Sequence, residues 1–171
     1  MTAYLTFEAL ETGVVTKDYR PSVSVAAQKM EGSRMFVDSR KPATIEELLL
    51  GLIVASGNDA AVVLAEAVGT TEKEFVDLMN AKAAELGMTS TKFMNPHGMP
   101  HPEHYTTAAD LAKLAISLIA KYPEGYKYYS VKTTEHNNVK QNNRNRLLFE
   151  DSTVDGFKTG FTESSGYSLI A

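Results

Sequence analysis

The sequence predicts a fold in which helices and strands are segregated along the chain. Three observations carry this. Threonines at 44, 71 and 107 open stretches of helical apolar spacing. The last third then loses that period, and two β-patterned segments, 154–159 and 166–171, flank a polar turn.

Taken in order, residues 1–10 read as helix interior: Leu5 and Ala9 sit among apolar neighbours with no capping residue ahead of them. Residues 14–37 alternate loosely, most clearly at Ser22-Val23-Ser24-Val25, and predict short strands or extended loop. Thr44-Ile45-Glu46-Glu47 has the form of a capping box, and the apolar run 48–55 predicts a buried helix. Ser56-Gly57-Asn58 interrupts it. Asp59 is then placed as the cap of a second helix over 60–68, stopped by Gly69. Thr71-Glu72-Lys73-Glu74 is another capping box, followed by Phe75, Leu78, Met79, Ala83 and Leu86 at helical spacing, with Gly87 as terminator. A polar loop with prolines and histidines covers 89–105. Thr107 opens a helix with Leu111, Leu114, Ala115, Leu118 and Ile119 on one face, and Pro123 lies just beyond its end. Residues 122–148, rich in Tyr, Asn and Lys, show no sustained period.

Composition narrows the function. With 43% hydrophobic and 22% charged residues the chain can build a core, and a net charge of −4 without a basic run argues against nucleic-acid partners. The absence of cysteine excludes disulfides, thiolate nucleophiles and thiolate metal sites. The apolar run 48–55 is far shorter than the roughly 20 residues of a spanning helix. Met1-Thr2-Ala3-Tyr4 has no basic region followed by an apolar one, the pattern of a secretory signal.

Two short motifs carry chemistry. Ser56-Gly57-Asn58 falls at a helix-to-helix junction, where a hydroxyl and an amide can project together. Lys158-Thr159-Gly160 falls on a strand, with a glycine that lets a ligand approach the backbone. Either alone is a weak signal, since each matches an ordinary helix break or strand end. In this order they correspond to the second and third members of the set S-x-x-K, S-D-N, K-T-G. The surroundings are similar to the low-molecular-weight penicillin-binding proteins, the serine-type D-alanyl-D-alanine carboxypeptidases. The similarity runs through LLLGLIVASGNDAAVVLAE (48–66), Asn95-Pro96-His97-Gly98, and Asn143-Arg144-Asn145-Arg146-Leu147-Leu148 ahead of Val154-Asp155-Gly156-Phe157-Lys158.

The resemblance implies an α+β fold of the β-lactamase/DD-peptidase type: a helical region packed on an antiparallel sheet, incomplete in this chain, with the site in the cleft between. It implies acyl transfer through a serine acyl-enzyme, a substrate that is a peptidoglycan stem peptide ending in D-Ala-D-Ala, β-lactams as mimics, and no cofactor or metal. Ser56 would relay a proton to the leaving amine together with Lys158. Asn58 would bind the substrate amide, Lys158 and Thr159 the terminal carboxylate, Gly160 the substrate backbone, and the Phe161 N–H would be an oxyanion donor. No serine here has lysine three positions later. Residues 1–171 are therefore expected to be a partial transpeptidase-like catalytic domain, truncated at both ends and inactive alone. The parent is expected to lie outside the cytoplasmic membrane, in the periplasm or on the membrane's outer face. A class A β-lactamase would have Asp where Gly57 stands. A non-catalytic peptidoglycan-binding or relic protein would explain the missing nucleophile, but it has no use for the relay serine.

His97, His101 and His104 with Glu103 could be read as a metal cluster, but their spacing matches no zinc signature, and a polar loop is the preferred reading. His136 has no evident partner. Tyr122, Tyr126, Tyr128 and Tyr129 could stack on carbohydrate, although ordinary packing is the commoner role.

Overall fold

Helix α4 (Asn58–Gly69) is the axis around which the other elements assemble. Ala60 to Ala65 are all 0% exposed, as a helix apolar on every side requires. In the computed structural model, which describes all 171 residues, α1 (Thr2–Glu11), α2 (Val25–Gln28), α3 (Ile45–Val54) and α5 (Glu72–Glu85) pack against α4. Tyr4, Leu5 and Phe7 of α1 join Leu48, Leu49 and Ile53 of α3 and Phe75 and Met79 of α5 in one core.

The capping signals act as read. Thr44 and Glu47 form a reciprocal box, with Glu47 N–H donating to Thr44 Oγ1 at 3.1 Å and Thr44 N–H to Glu47 Oε2 at 2.7 Å. Thr71 accepts from Glu74 N–H at 3.1 Å, while the Glu74 carboxylate meets the Thr71 hydroxyl and leaves the backbone N–H free of it. Thr107 caps α6 (Ala108–Lys121), which buries Leu114, Ala115 and Leu118 but leaves Ile119 exposed, at the edge of the predicted stripe. In α5, Leu78 is likewise exposed while Phe75, Met79 and Ala83 are buried. No helix is long and apolar enough to cross a membrane.

Two expectations are corrected. Between 14 and 37 the loop alternative holds except at 25–28, where the Ser24 hydroxyl accepts the Ala27 N–H at 3.0 Å and starts the one-turn helix α2. Asp59 is no N-cap, because Gly57 holds that position. The stretch 122–148, without a sustained period in sequence, holds only short elements. Pro123 opens α7 (Pro123–Tyr126), a 3-10 turn follows (Lys127–Ser130), and β1 (Thr133–His136) pairs with β2 (Val139–Asn142) across Asn137-Asn138. Both asparagines have positive φ, 49° and 62°, the backbone of a two-residue hairpin turn, and asparagine tolerates it.

After α8 (Leu147–Glu150), residues 154–157 belong to no strand, although Phe157 N–H donates to Ile170 O at 3.0 Å. The antiparallel pair β3 (Lys158–Thr162) and β4 (Gly166–Ile170) follows, so the first predicted strand begins four residues late. The tyrosines pack internally: Tyr126 and Tyr129 stack with Phe157, and Tyr122 meets Tyr4 edge-on at 5.0 Å. All four strands thus lie in the last third of the chain, with only the one-turn α8 among them, in an α+β arrangement.

Candidate active site

The junction between α3 and α4 sets the first half of the site. After Ala55 the chain reverses at Ser56, whose φ of 58° lies in the left-handed region. Gly57 N–H then donates back to Gly51 O at 3.0 Å. A Cβ on Gly57 would stand 3.0 Å from Asp59 Oδ1 and 3.2 Å from both Gly51 O and Met35 N, so only glycine fits without displacing these groups.

Asn58 follows, 8% exposed. Its backbone N–H donates to Ser33 O and its Nδ2 to Glu31 O, both at 2.8 Å. Its Oδ1 has no protein donor, so an acceptor is held ready in a fixed orientation. The buried Asp59 carboxylate accepts N–H groups from Met35, Phe36 and Val37 at 2.9, 2.8 and 3.1 Å and so moulds the loop against this junction.

The second half comes from β3. Lys158 Nζ donates to Ser56 Oγ at 2.9 Å and to Thr159 O at 2.8 Å. Burial, with the nearby Arg144 charge adding to it, lowers the Lys158 ammonium to about 8. Thr159 is half-buried, and its hydroxyl makes no hydrogen bond within the chain. Gly160 and Phe161 are exposed beyond it. A Cβ on Gly160 would lie 2.9 Å from Ser168 Oγ, so the glycine keeps this strand bare.

The structure therefore brings Ser56 and Lys158 into contact, with Asn58 beside the first and Thr159, Gly160 and Phe161 following the second. Sequence reading had missed Asp59 as the clamp on residues 35–37 and Arg144 as the charge beside Lys158. Arg144 lies within a family-like segment, and no local pattern marks its proximity to Lys158.

The loop histidines hold their own backbone. His97 Nδ1 accepts Met99 N–H at 3.1 Å, His101 Nδ1 accepts Glu103 N–H at 3.1 Å, and the His104 ring packs edge-on against Phe93. Burial and the neighbouring His104 lower His97 to about 4, so it stays neutral.

The result is a serine at a helix junction in contact with a strand lysine and beside an asparagine, on helices that precede a hairpin. The structure superposes on penicillin binding protein 6B from Escherichia coli with a TM-score of 0.93, at 36% identity, over 99% of this chain and 55% of that one. It superposes on the ampicillin-bound form of Penicillin-Binding Protein D2 from Listeria monocytogenes with a TM-score of 0.84, at 28% identity, over 97% and 68%. The D-alanyl-D-alanine carboxypeptidase DacA of Haemophilus influenzae is 38% identical over all of this chain and 44% of its own length. Residues 1–171 match the peptidase S11 model, described as D-alanyl-D-alanine carboxypeptidase. The chain belongs to that family, and spans about half the length of the curated relatives it matches.

Proposed function

We propose that the chain carries the Ser56/Lys158 half of an acyl-transfer site, in a serine-type enzyme that removes the terminal D-alanine from peptidoglycan stem peptides. The observation that supports this best is the 2.9 Å contact from Lys158 Nζ to Ser56 Oγ. A module that only binds gains nothing from coupling a hydroxyl to a lysine of lowered proton affinity. A proton relay needs both.

In this reading the acylated residue is a serine supplied by an S-x-x-K motif that residues 1–171 do not contain, so the chain alone is inactive. That serine's Oγ forms an ester with the carbonyl between the two D-alanines as the C–N bond breaks, the motif's lysine takes the hydroxyl proton, and water then hydrolyses the ester. Ser56 passes a proton to the departing amine and is resupplied by Lys158. Asn58 Oδ1 accepts the substrate amide N–H. Lys158 and the Thr159 hydroxyl hold the terminal carboxylate, the strand at Gly160 lies along the peptide, and the Phe161 N–H stabilises the oxyanion. β-Lactams would enter as mimics, a reading supported by the ampicillin-bound form of the Listeria protein. Because peptidoglycan is its substrate, the parent enzyme would work outside the cytoplasmic membrane.

The test is a chimera in which this chain replaces the matched stretch of the Haemophilus relative. D-alanine release from a D-Ala-D-Ala peptide and acylation by labelled penicillin are expected from the chimera, and neither from the isolated chain. Ser56→Ala and Lys158→Ala should lower release by about 10²-fold or more. A folded chimera that neither releases D-alanine nor takes the label would overturn the reading, as would tight, saturable penicillin binding by the chain alone.

A further inference from the structure

Ser56 and Lys158 are 102 positions apart, and one side-chain contact joins them directly. The segment Asn143-Arg144-Asn145 reaches both neighbourhoods. Its middle residue donates its backbone N–H to Val54 O at 3.3 Å, at the last residue of α3 and two positions before Ser56. Its last residue donates Asn145 Nδ2 to Gly156 O at 2.7 Å, two positions before Lys158.

The segment is itself fixed. Asn143 N–H donates to Lys132 O at 2.8 Å, and Asn143 Nδ2 donates to Val131 O at 2.9 Å. Asn143 Oδ1 accepts Asn145 N–H at 2.9 Å, and Asn145 Oδ1 accepts Leu147 N–H at 3.2 Å. Asn145 is 1% exposed and Asn143 6%, so water has little access to replace these bonds.

We infer that Asn145 is a positioning residue for Lys158: its buried amide pins the approach to β3, while the same segment is tied to the end of α3, and together they set the Ser56–Lys158 distance. The inference rests on the proposed role of that pair. Its content is geometric and is read without ligand.

The experiment follows the Lys158 side chain by ¹³C NMR in the full chain. In the parent the ammonium should titrate near 8. Asn145→Ala leaves the Gly156 carbonyl unpaired, frees the strand entry and lets Lys158 reach solvent. Its midpoint should then climb by about one unit or more, toward the ordinary lysine value of about 10.4. Should that variant not fold, Asn145→Ser gives the same reading, because its hydroxyl is too short to reach Gly156. Leu114→Ala, a buried truncation in α6, is the control and should lower stability with the Lys158 midpoint unchanged. A Lys158 midpoint that stays at the parent value in a folded Asn145 variant overturns the inference, and so does an equal shift in the Leu114 control. Failure of the chimera to act on peptide would refute the functional reading alone.

Discussion

Replacing Ser56 by glycine and by alanine separates the two things that residue does. Both substitutions delete the Oγ that accepts Lys158 Nζ at 2.9 Å, so the loss of that bond is common to the pair and cancels in their difference. What remains is the backbone. With φ at 58°, Ser56 occupies the left-handed region, which costs an L-residue about 1–2 kcal/mol and glycine almost nothing. Glycine gives back about 0.5–1 kcal/mol through the greater freedom of its unfolded chain. The balance, about 0.5–1 kcal/mol, favours glycine and corresponds to a melting temperature about 1–4 °C higher for a chain of this size. The sign is diagnostic, because in a helix interior alanine exceeds glycine by about 1 kcal/mol. Thermal unfolding of the two variants side by side is the assay. An alanine variant as stable as the glycine variant, or more stable, would show that residue 56 is not held left-handed, and the account of the junction would fail with it.

Two more outcomes follow from the same site. The Lys158 ammonium is lowered to about 8 in the folded chain and lies at about 10.4 when unfolded, so between these values the unfolded chain binds more protons and stability rises with pH. Lys158→Met should flatten that rise in urea unfolding measured from pH 8 to pH 10, and an unchanged slope would contradict the assignment. Asp59→Ala strips the acceptor from four N–H groups, three of them on the buried residues Met35, Val37 and Ala60, and should cost about 3 kcal/mol or more. A loss under about 1 kcal/mol would mean that the 35–37 loop is held by something other than this carboxylate.

Much of the helical framework was legible because its signals are local. A threonine followed three residues later by glutamate fixes where α3 and α5 begin, and the apolar spacing after it says which face is buried. The hairpin β1–β2 escaped notice because its strands, Thr-Thr-Glu-His and Val-Lys-Gln-Asn, have almost no apolar alternation. Its one signal was the pair Asn137-Asn138, a turn at positive φ. Ser22 to Val25 misled for the opposite reason: two serines and two valines alternate like a strand, yet a serine hydroxyl caps a helix as readily. Asp59 was read as a cap because Asp often is one. Apart from the adjacent Ala60 N–H, its partners lie 22 to 24 positions back and leave no local trace. The site residues themselves emerged from motif order, but their contact did not, since nothing in Ser56-Gly57-Asn58 states that Lys158 will reach it.

The hydrogen-bond capacity of Lys158 explains why a threonine follows it. An ammonium has three N–H donors. One goes to Ser56 Oγ and one to Thr159 O, which leaves a single donor to face a ligand. A carboxylate presents two oxygens, and one donor cannot fix its plane. The Thr159 hydroxyl, unbonded within the chain and on the next residue of the same strand, can supply the second. On the proposed reading the lysine would be committed chiefly to the serine and would contribute charge to the ligand, while the threonine would contribute orientation. Removing the Thr159 hydroxyl should therefore impair selection for a free terminal carboxylate while leaving the Lys158–Ser56 contact intact.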